Sequence, residues 1–232
     1  MMINEEMLEN LYNEIYTAGQ SAIINLNVKI DDFLNNSISD KRLGLSLIIK
    51  LNNNICNNIS NTQRSIYTLE PFQYFYPEND LHVTLIDLIA AKTHICCYIE
   101  QLMKYNNILL DCFNKIDKFK IIFKGVITSD GAIIIKGYYD NEMCILRQHI
   151  RSAFIKNGLI LDERYETKSA HITIARYINN LQNPKKLLNL LATMNNIYFG
   201  HQIVSEVDLV IHDWYNNKKI IIGKYVIDKK CD

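Results

Sequence analysis

The chain has 232 residues, of which 48% are hydrophobic and 22% charged, as in a globular protein with a sizeable core. Its 25 Lys and Arg residues balance 25 Asp and Glu residues, so the formal net charge at pH 7 is zero. This balance argues against an extended nucleic-acid footprint, which needs a basic face, but it allows a small phosphate-bearing ligand in one pocket.

The first 42 residues carry the apolar spacing of a helix. Leu8, Ile15, Ala22 and Phe33 mark a stripe at helical spacing, which predicts one long amphipathic helix or two shorter ones. We predict that residues 1–42 are a helical extension packed on the core. An arm that binds a partner or a second copy is the alternative.

The next hundred residues alternate strand-like and helix-like patterns. The expected elements are a strand at 43–50, a helix around Ile55 and Ile59, a strand leading into His82, a helix at 90–106, and strands at 117–128 and 132–139. Ser129-Asp130-Gly131 separates the last two strands and is a hairpin turn signal.

A similar order of elements recurs from residue 132 onward. The expected elements are the strand at 132–139, a helix at 141–157 capped by Gly158, a strand around His171, a helix starting at Asn183-Pro184, and strands at 206–214 and 219–227. Asn216-Asn217 supplies the turn between the last two strands.

This recurrence indicates an internal duplication. Leu45 and Ile133, in corresponding strands, lie 88 residues apart. We predict two copies of one strand–helix–strand unit at about 44–131 and 132–218, followed by a closing strand at 219–227. Together these units would form a single domain at 43–232.

Two segments 89 residues apart share one pattern of apolar residues, histidine and threonine: residues 81–85 (LHVTL) and 170–174 (AHITI). Side chains two positions apart in a strand face the same side, so each segment presents its histidine and threonine together. An imidazole exchanges protons near neutral pH, and a threonine hydroxyl can hydrogen-bond a substrate oxygen. Because duplicated units tend to pack about a pseudo-twofold axis, we expect both segments to line one cleft.

Such a cleft would contain a general base, a general acid and two hydroxyl groups. His82 and His171 are the candidate catalytic residues, and Thr84 and Thr173 are candidates for binding phosphate oxygens. The spacing leaves open which histidine is the base. Because the two imidazoles must hold opposite protonation states, we expect a bell-shaped pH profile.

The residue pattern of both segments resembles the motifs of the 2H phosphoesterase superfamily, which includes RNA 2′,5′-ligase-like proteins and cyclic nucleotide phosphodiesterases. The resemblance rests on residues 76–85 (YPENDLHVTL) and 171–176 (HITIAR) and covers about 43–227. It implies an α+β fold that is bilobal and duplicated, with two antiparallel sheets lining a central cleft and helices outside.

The resemblance also implies a function. The implied enzyme is a phosphodiesterase that needs neither a metal nor a cofactor. It would act on 2′,5′-linked or 2′,3′-cyclic phosphates of RNA ends, oligonucleotides or nucleotide signals, and 2′,5′ ligation would be the reverse reaction. The expected partner is a short oligonucleotide or cyclic nucleotide. A catalytically idle module that binds a nucleotide or RNA end is one alternative, and an interaction protein acting through its N-terminal helices is another.

Six further residues are candidates for substrate binding. Arg176 would face the site only at a bulge or at the strand's end, because strict alternation points it away from His171 and Thr173. Lys168 precedes the second motif and could meet phosphate, with solvent exposure as the alternative. Four aromatic residues could stack a base, with core packing as the alternative for each: Tyr74, Tyr76, Tyr139 and Trp214.

The remaining histidines and the cysteines give no site pattern. We predict structural or surface roles for His94, His149, His201 and His212, which have no partner at motif spacing. A zinc site needs three or four ligands, and the two motifs supply only two histidines, so we predict no metal.

The six cysteines show no zinc-type spacing, so we predict reduced thiols and a cytoplasmic location; they are residues 56, 96, 97, 112, 144 and 231. The sequence has neither a signal-peptide pattern at its start nor an apolar run near twenty residues, so we expect no membrane span.

Overall fold

The computed structural model describes residues 5–35, 40–93 and 99–228. Within these ranges the helices are α1 (Glu5–Ile24), α2 (Asp32–Asn35), α3 (Asn53–Leu69), α4 (Ile99–Phe113), α5 (Asn141–Lys156) and α6 (Pro184–Met194). The strands are β1 (Leu43–Lys50), β2 (Tyr74–Phe75), β3 (His82–Lys92), β4 (Phe119–Thr128), β5 (Ala132–Tyr139), β6 (Ile172–Arg176), β7 (Tyr198–Val204), β8 (Glu206–Asp213) and β9 (Lys219–Val226).

The strands form one antiparallel sheet in the order β7-β4-β5-β6-β3-β1-β8-β9, with β2 paired to β6. Its two four-stranded halves meet where β3 lies beside β6, and there Val83 and Ile172 are in register. The α+β class predicted from the sequence is confirmed, and the two expected sheets are the two halves of this sheet.

The order of strands is similar from each end of the sheet. The two motif strands, β3 and β6, lie at the centre, and β1 and β5 flank them. Next come β8 beside β1 and β4 beside β5, so the last strand of each predicted repeat lies in the other half. The repeat boundaries and the domain limits remain predictions.

Two element assignments from the sequence need correction. The helix expected at 90–106 does not begin at residue 90, because β3 continues to Lys92 and α4 begins at Ile99. The backbone N–H of Ala90 donates to the carbonyl oxygen of Asp162 (2.8 Å), which holds this segment extended. Strand β7 was not expected, because as an exposed edge strand it lacks a continuous apolar pattern.

Helix α1 belongs to the core, although the extended segment after it is not helical until α2. Leu8 and Tyr12 are buried against the sheet. The Tyr12 hydroxyl donates to the carbonyl oxygen of Gly137 (2.9 Å) and accepts from the N–H groups of Gly137 (3.1 Å) and Ala170 (3.2 Å). A Cβ on Gly137 would clash with the carbonyl oxygen of Ala170. Tyr12 therefore attaches α1 to the residue that precedes His171.

Arg147 of α5 joins the two motif strands. Its side chain is buried, and it donates five hydrogen bonds of 2.7–3.3 Å, to the carbonyl oxygens of Thr84, Leu85, Lys168 and Ser169 and to the Tyr139 hydroxyl. The four carbonyl acceptors lie in β3 and in the segment before His171, whereas Tyr139 lies in β5, and the five acceptors use all five N–H donors of the guanidinium. Arg147 therefore sets the spacing between the motifs.

None of the described helices has the length and apolar character needed to cross a membrane. Three cysteines, Cys56, Cys112 and Cys144, are buried and form no disulfide bond within the described part of the chain. Cys96, Cys97, Cys231 and His94 lie outside the described residues.

We predict that Tyr12→Phe lowers the free energy of unfolding by about 1–3 kcal/mol, because buried backbone groups of Gly137 and Ala170 lose their partner. Urea denaturation measures this loss. Tyr67→Phe is the matched control, since Tyr67 is exposed and should change stability by less than about 0.5 kcal/mol. Equal stability of the two variants would contradict the role of the Tyr12 hydroxyl.

We predict that Arg147→Lys destabilises the protein by about 3 kcal/mol or more, because an ammonium has three donors where the guanidinium has five, and buried acceptors lose their bonds. Thermal and urea unfolding measure the effect against Arg64→Lys, at an exposed position on α3. If the two substitutions cost the same, Arg147 does not hold the motif strands together.

Candidate active site

Each motif strand carries a β-bulge one residue after its threonine. Leu85 in β3 has no register partner in β1, and Ile174 in β6 has none in β5. An extra residue reverses the alternation of side chains beyond it. The residue three positions after each threonine therefore faces the same side as the motif. That residue is Asp87 in the first motif and Arg176 in the second.

The structure brings both motifs to a single small cavity of about 130 Å³. His82, Thr84, His171 and Thr173 all line it. At roughly 30 Å³ for each water molecule, this volume corresponds to about four waters, enough for a phosphate group and too little for a whole nucleotide. We call it the small cavity.

His82 has a defined tautomer. Its Nδ1 lies 2.7 Å from the carbonyl oxygen of Asp80. Because a carbonyl only accepts, Nδ1 carries the hydrogen, and in the neutral ring Nε2 holds the free lone pair. Burial of the ring lowers the pKa of His82 from 6.5 to about 4. At pH 7 this imidazole is therefore neutral and able to accept a proton.

His171 has a more adaptable partner. Its Nδ1 lies 2.7 Å from the hydroxyl oxygen of Ser169, which can donate or accept. When Ser169 donates to Nδ1, the neutral ring carries its hydrogen on Nε2. Burial, followed by the positive charge of Arg176, lowers the pKa of His171 to about 4. His171 can therefore present a proton to the small cavity in its neutral and charged forms alike.

A third histidine, His212, lies beside His82 and lines the small cavity, whereas the sequence predicted a structural or surface role for it. The two rings are edge to face, with centroids 6.1 Å apart. His212 Nε2 lies 2.9 Å from the hydroxyl oxygen of Ser46, which donates to Asp87 Oδ1 (2.7 Å). Because the Ser46 hydrogen goes to Asp87, Nε2 of His212 is the donor to Ser46. Burial lowers the pKa of His212 to about 3, so this ring is neutral.

The sequence offered different signals for these two additional residues. Asp87 lies 89 residues before Arg176, the same offset that separates the motif histidines, so the repeat could have indicated it. His212 has no such signal. It reaches the site because β8 pairs with β1, a long-range pairing that no local spacing encodes.

Three of the six substrate-binding candidates, Arg176, Tyr76 and Trp214, lie beside the motifs. All three line the small cavity. The Arg176 Nε donates to the Tyr76 hydroxyl (2.8 Å), and its guanidinium carbon lies 5.7 Å from the centroid of the Trp214 ring. The sequence predicted that Arg176 would face the site only at a bulge or at the end of its strand, and β6 has such a bulge at Ile174.

Tyr74 and Tyr139 lie away from the cavity wall. Tyr74 packs edge to face on Tyr76, with centroids 5.2 Å apart. Tyr139 is buried, donates to the carbonyl oxygen of Lys168 and accepts from Arg147. Core packing, the alternative stated for both aromatic residues, describes their positions.

A large cavity of about 780 Å³ adjoins the small one. His171, Thr173 and Arg176 line both, and Lys168 lines only the large cavity, where its Nζ lies 3.4 Å from Glu166 Oε2. In the ranges that the structure describes, no group of three or more His, Cys, Asp or Glu side chains is arranged to hold a metal ion.

Comparison with solved structures identifies the fold. TT0787 of Thermus thermophilus superposes with a TM-score of 0.58 at 15% identity, covering 81% of this chain and 98% of that one. E. coli LigT gives 0.58 at 13% identity, covering 81% and 99%. ATU0111 of Agrobacterium tumefaciens gives 0.57 at 14% identity, covering 82% and 87%.

The sequence itself carries a family signature. No curated protein matches the chain significantly. The family model described as the AKAP7 2′5′ RNA ligase-like domain matches residues 45–220, about three quarters of the chain. This chain belongs to the AKAP7 2′5′ RNA ligase-like domain family, and with it to the 2H phosphoesterase superfamily.

Proposed function

We propose that the protein is a metal-independent phosphodiesterase acting on 2′,5′-linked or 2′,3′-cyclic phosphates in short oligonucleotides or nucleotides. The observation that carries this proposal is the small cavity, where two imidazoles and two threonine hydroxyls surround a phosphate-sized space. E. coli LigT, which has a similar fold, has been crystallised with phosphate, 3′-AMP, ATP and NADP+. These complexes support a small nucleotide ligand here.

The tautomers favour His82 as the base and His171 as the acid. Nε2 of His82 takes the proton of the attacking hydroxyl, from water or ribose, as the new oxygen–phosphorus bond forms. The bond from phosphorus to the leaving oxygen breaks, and protonated His171 donates its Nε2 hydrogen to that oxygen. One proton is taken up and one released, so the net charge of the site is unchanged.

Charge develops on the two non-bridging phosphate oxygens during this step. Thr84 and Thr173 donate hydrogen bonds to these oxygens, and the guanidinium of Arg176 offsets their negative charge. The bound phosphate also favours the proton on His171, because an anion beside an imidazole raises its pKa. Substrate binding thereby loads the acid that the free protein keeps neutral at pH 7.

We predict that His82→Ala and His171→Ala each lower kcat by about 10²–10⁴ on 2′,3′-cyclic and 2′,5′-linked substrates, because each removes one proton transfer. His149→Ala, at an exposed position on α5, is the matched control. EDTA should leave the wild-type rate unchanged. Full turnover in both site variants would contradict the proposal. Tight binding of a nucleotide by the wild type without any product would instead indicate the catalytically idle module that binds a nucleotide or RNA end.

The lowered histidine pKa values predict an acidic pH optimum for kcat/KM. His82 must be neutral, above its pKa of about 4, and His171 protonated, below its pKa of about 4. The product of these two populations falls as the pH rises above about 4, so the alkaline limb of kcat/KM should lie below pH 6.5. The alkaline limb of kcat should lie at higher pH, because bound phosphate raises the pKa of His171.

Steady-state kinetics over a pH series test this prediction. Arg176→Gln should move the alkaline limb of kcat/KM to higher pH while lowering the rate, because one positive charge beside His171 is removed. An alkaline limb at or above pH 6.5 in the wild type would argue against buried, neutral imidazoles.

A further inference from the structure

We propose that the large cavity is a second binding compartment, which holds the nucleotide unit attached to the leaving oxygen and which residues outside the matched family domain help to build. The inference rests on the proposed function. It concerns the part of the substrate beyond the scissile phosphate.

The two cavities are arranged for a substrate that extends in one direction. His171, Thr173 and Arg176 line both cavities, whereas His82 and Thr84 line only the small one. A group leaving toward His171 therefore enters the large cavity. Its volume of about 780 Å³ lies within the usual range of ligand pockets, roughly 300–1,000 Å³, and suits a nucleotide.

The N-terminal segment forms one wall of this compartment. Residues 29–33 and Arg42 line the large cavity, and all precede the family match at 45–220. The backbone N–H of Lys29 donates to the carbonyl oxygen of Asp130 (2.7 Å), and that of Asp31 to the carbonyl oxygen of Tyr177 (2.8 Å). These bonds fix the wall against the turn after β4 and the end of β6.

Positive charge is concentrated around Trp214, at the boundary of the two cavities. The guanidinium carbons of Arg42, Arg164 and Arg176 lie 5.2, 4.9 and 5.7 Å from the ring centroid. Arg42 is paired with a carboxylate, that of Asp40 at 2.7 Å. Arg164 makes no hydrogen bond or ion pair within the described part of the chain. The positive charges of these guanidinium groups repel one another, and the protein neutralises them only in part. A bound phosphate would reduce this repulsion.

The N-terminal wall beside this cluster has complementary chemistry, and there the guanidinium carbon of Arg42 lies over one face of the Phe33 ring, 4.1 Å from its centroid. Phe33 exposes 47% of its surface and lines only the large cavity, as do the exposed carboxylates of Asp32 and Asp130. An aromatic face stacks a base, and carboxylates accept hydrogen bonds from ribose hydroxyls or base amino groups. The compartment therefore contains groups that match each part of a nucleotide: cations for the phosphate, an aromatic ring for the base and hydrogen-bond acceptors for the sugar.

Kinetics with two substrates tests the compartment. Phe33→Ala and Arg164→Ala should raise KM for a 2′,5′-linked trinucleotide by about tenfold more than KM for the ethyl ester of a nucleoside 2′-phosphate, because only the former has a leaving nucleotide. Phe72→Ala and Arg64→Ala, at exposed positions that line neither cavity, are the matched controls. Equal effects on both substrates, or none, would overturn the inference.

A binding measurement separates this inference from the proposed function. Trp214 is the single tryptophan of the chain, so its fluorescence reports directly on the boundary of the compartment. A nucleoside monophosphate should change the emission saturably, with a Kd that Phe33→Ala raises by about tenfold and that lies well below the Kd for inorganic phosphate. If the wild type cleaves neither substrate, the proposed function fails and this titration still decides the compartment. No emission change, or equal Kd values for nucleotide and phosphate, would overturn it.

Discussion

The arrangement of the site depends on one buried cation. Among the residues that the structure describes, Arg147 has no carboxylate partner for its charge, and an uncompensated buried charge is costly. Four carbonyl oxygens and the Tyr139 hydroxyl offset that cost, but only if the backbone of β3 and the backbone before His171 turn their carbonyls toward one point. Because β3 and β6 share a single registered pair, this requirement brings the motifs to a fixed separation.

Burial has a second consequence, since it acts on the protonation of the imidazoles. The loss of water lowers the pKa of His82 and His171 alike, to about 4. That effect prepares a base and opposes an acid. In the proposed mechanism an anionic substrate raises the pKa of both rings, and most strongly that of the histidine nearest the developing charge on the leaving oxygen. In that mechanism, protonation of His171 is coupled to the binding of phosphate in the small cavity.

The sequence predicted the parts of the site that depend on local spacing. Period-two alternation found both His-x-Thr pairs, and the internal repeat indicated that they would meet. The same alternation misplaced Arg176 and hid Asp87, because a bulge at Leu85 and another at Ile174 reverse it. His212 and the wall formed by residues 29–33 depend on strand order and on the docking of the N-terminal segment. Both are long-range packing that composition and spacing do not encode.

The proposed reaction needs one base and one acid, and two imidazoles in identical surroundings would not differ in which role each takes. The fold repeats the histidine, the threonine and the bulge, and the difference between the halves appears at the next inward-facing position, which is Asp87 in one and Arg176 in the other. Asp87 ends a chain of hydrogen bonds through Ser46 to His212, beside His82. Arg176 places a positive charge near His171 and makes its proton easier to release. Asp87 and Arg176 thus give two equivalent backbone positions different surroundings, and this difference supports the asymmetric proton transfer proposed above.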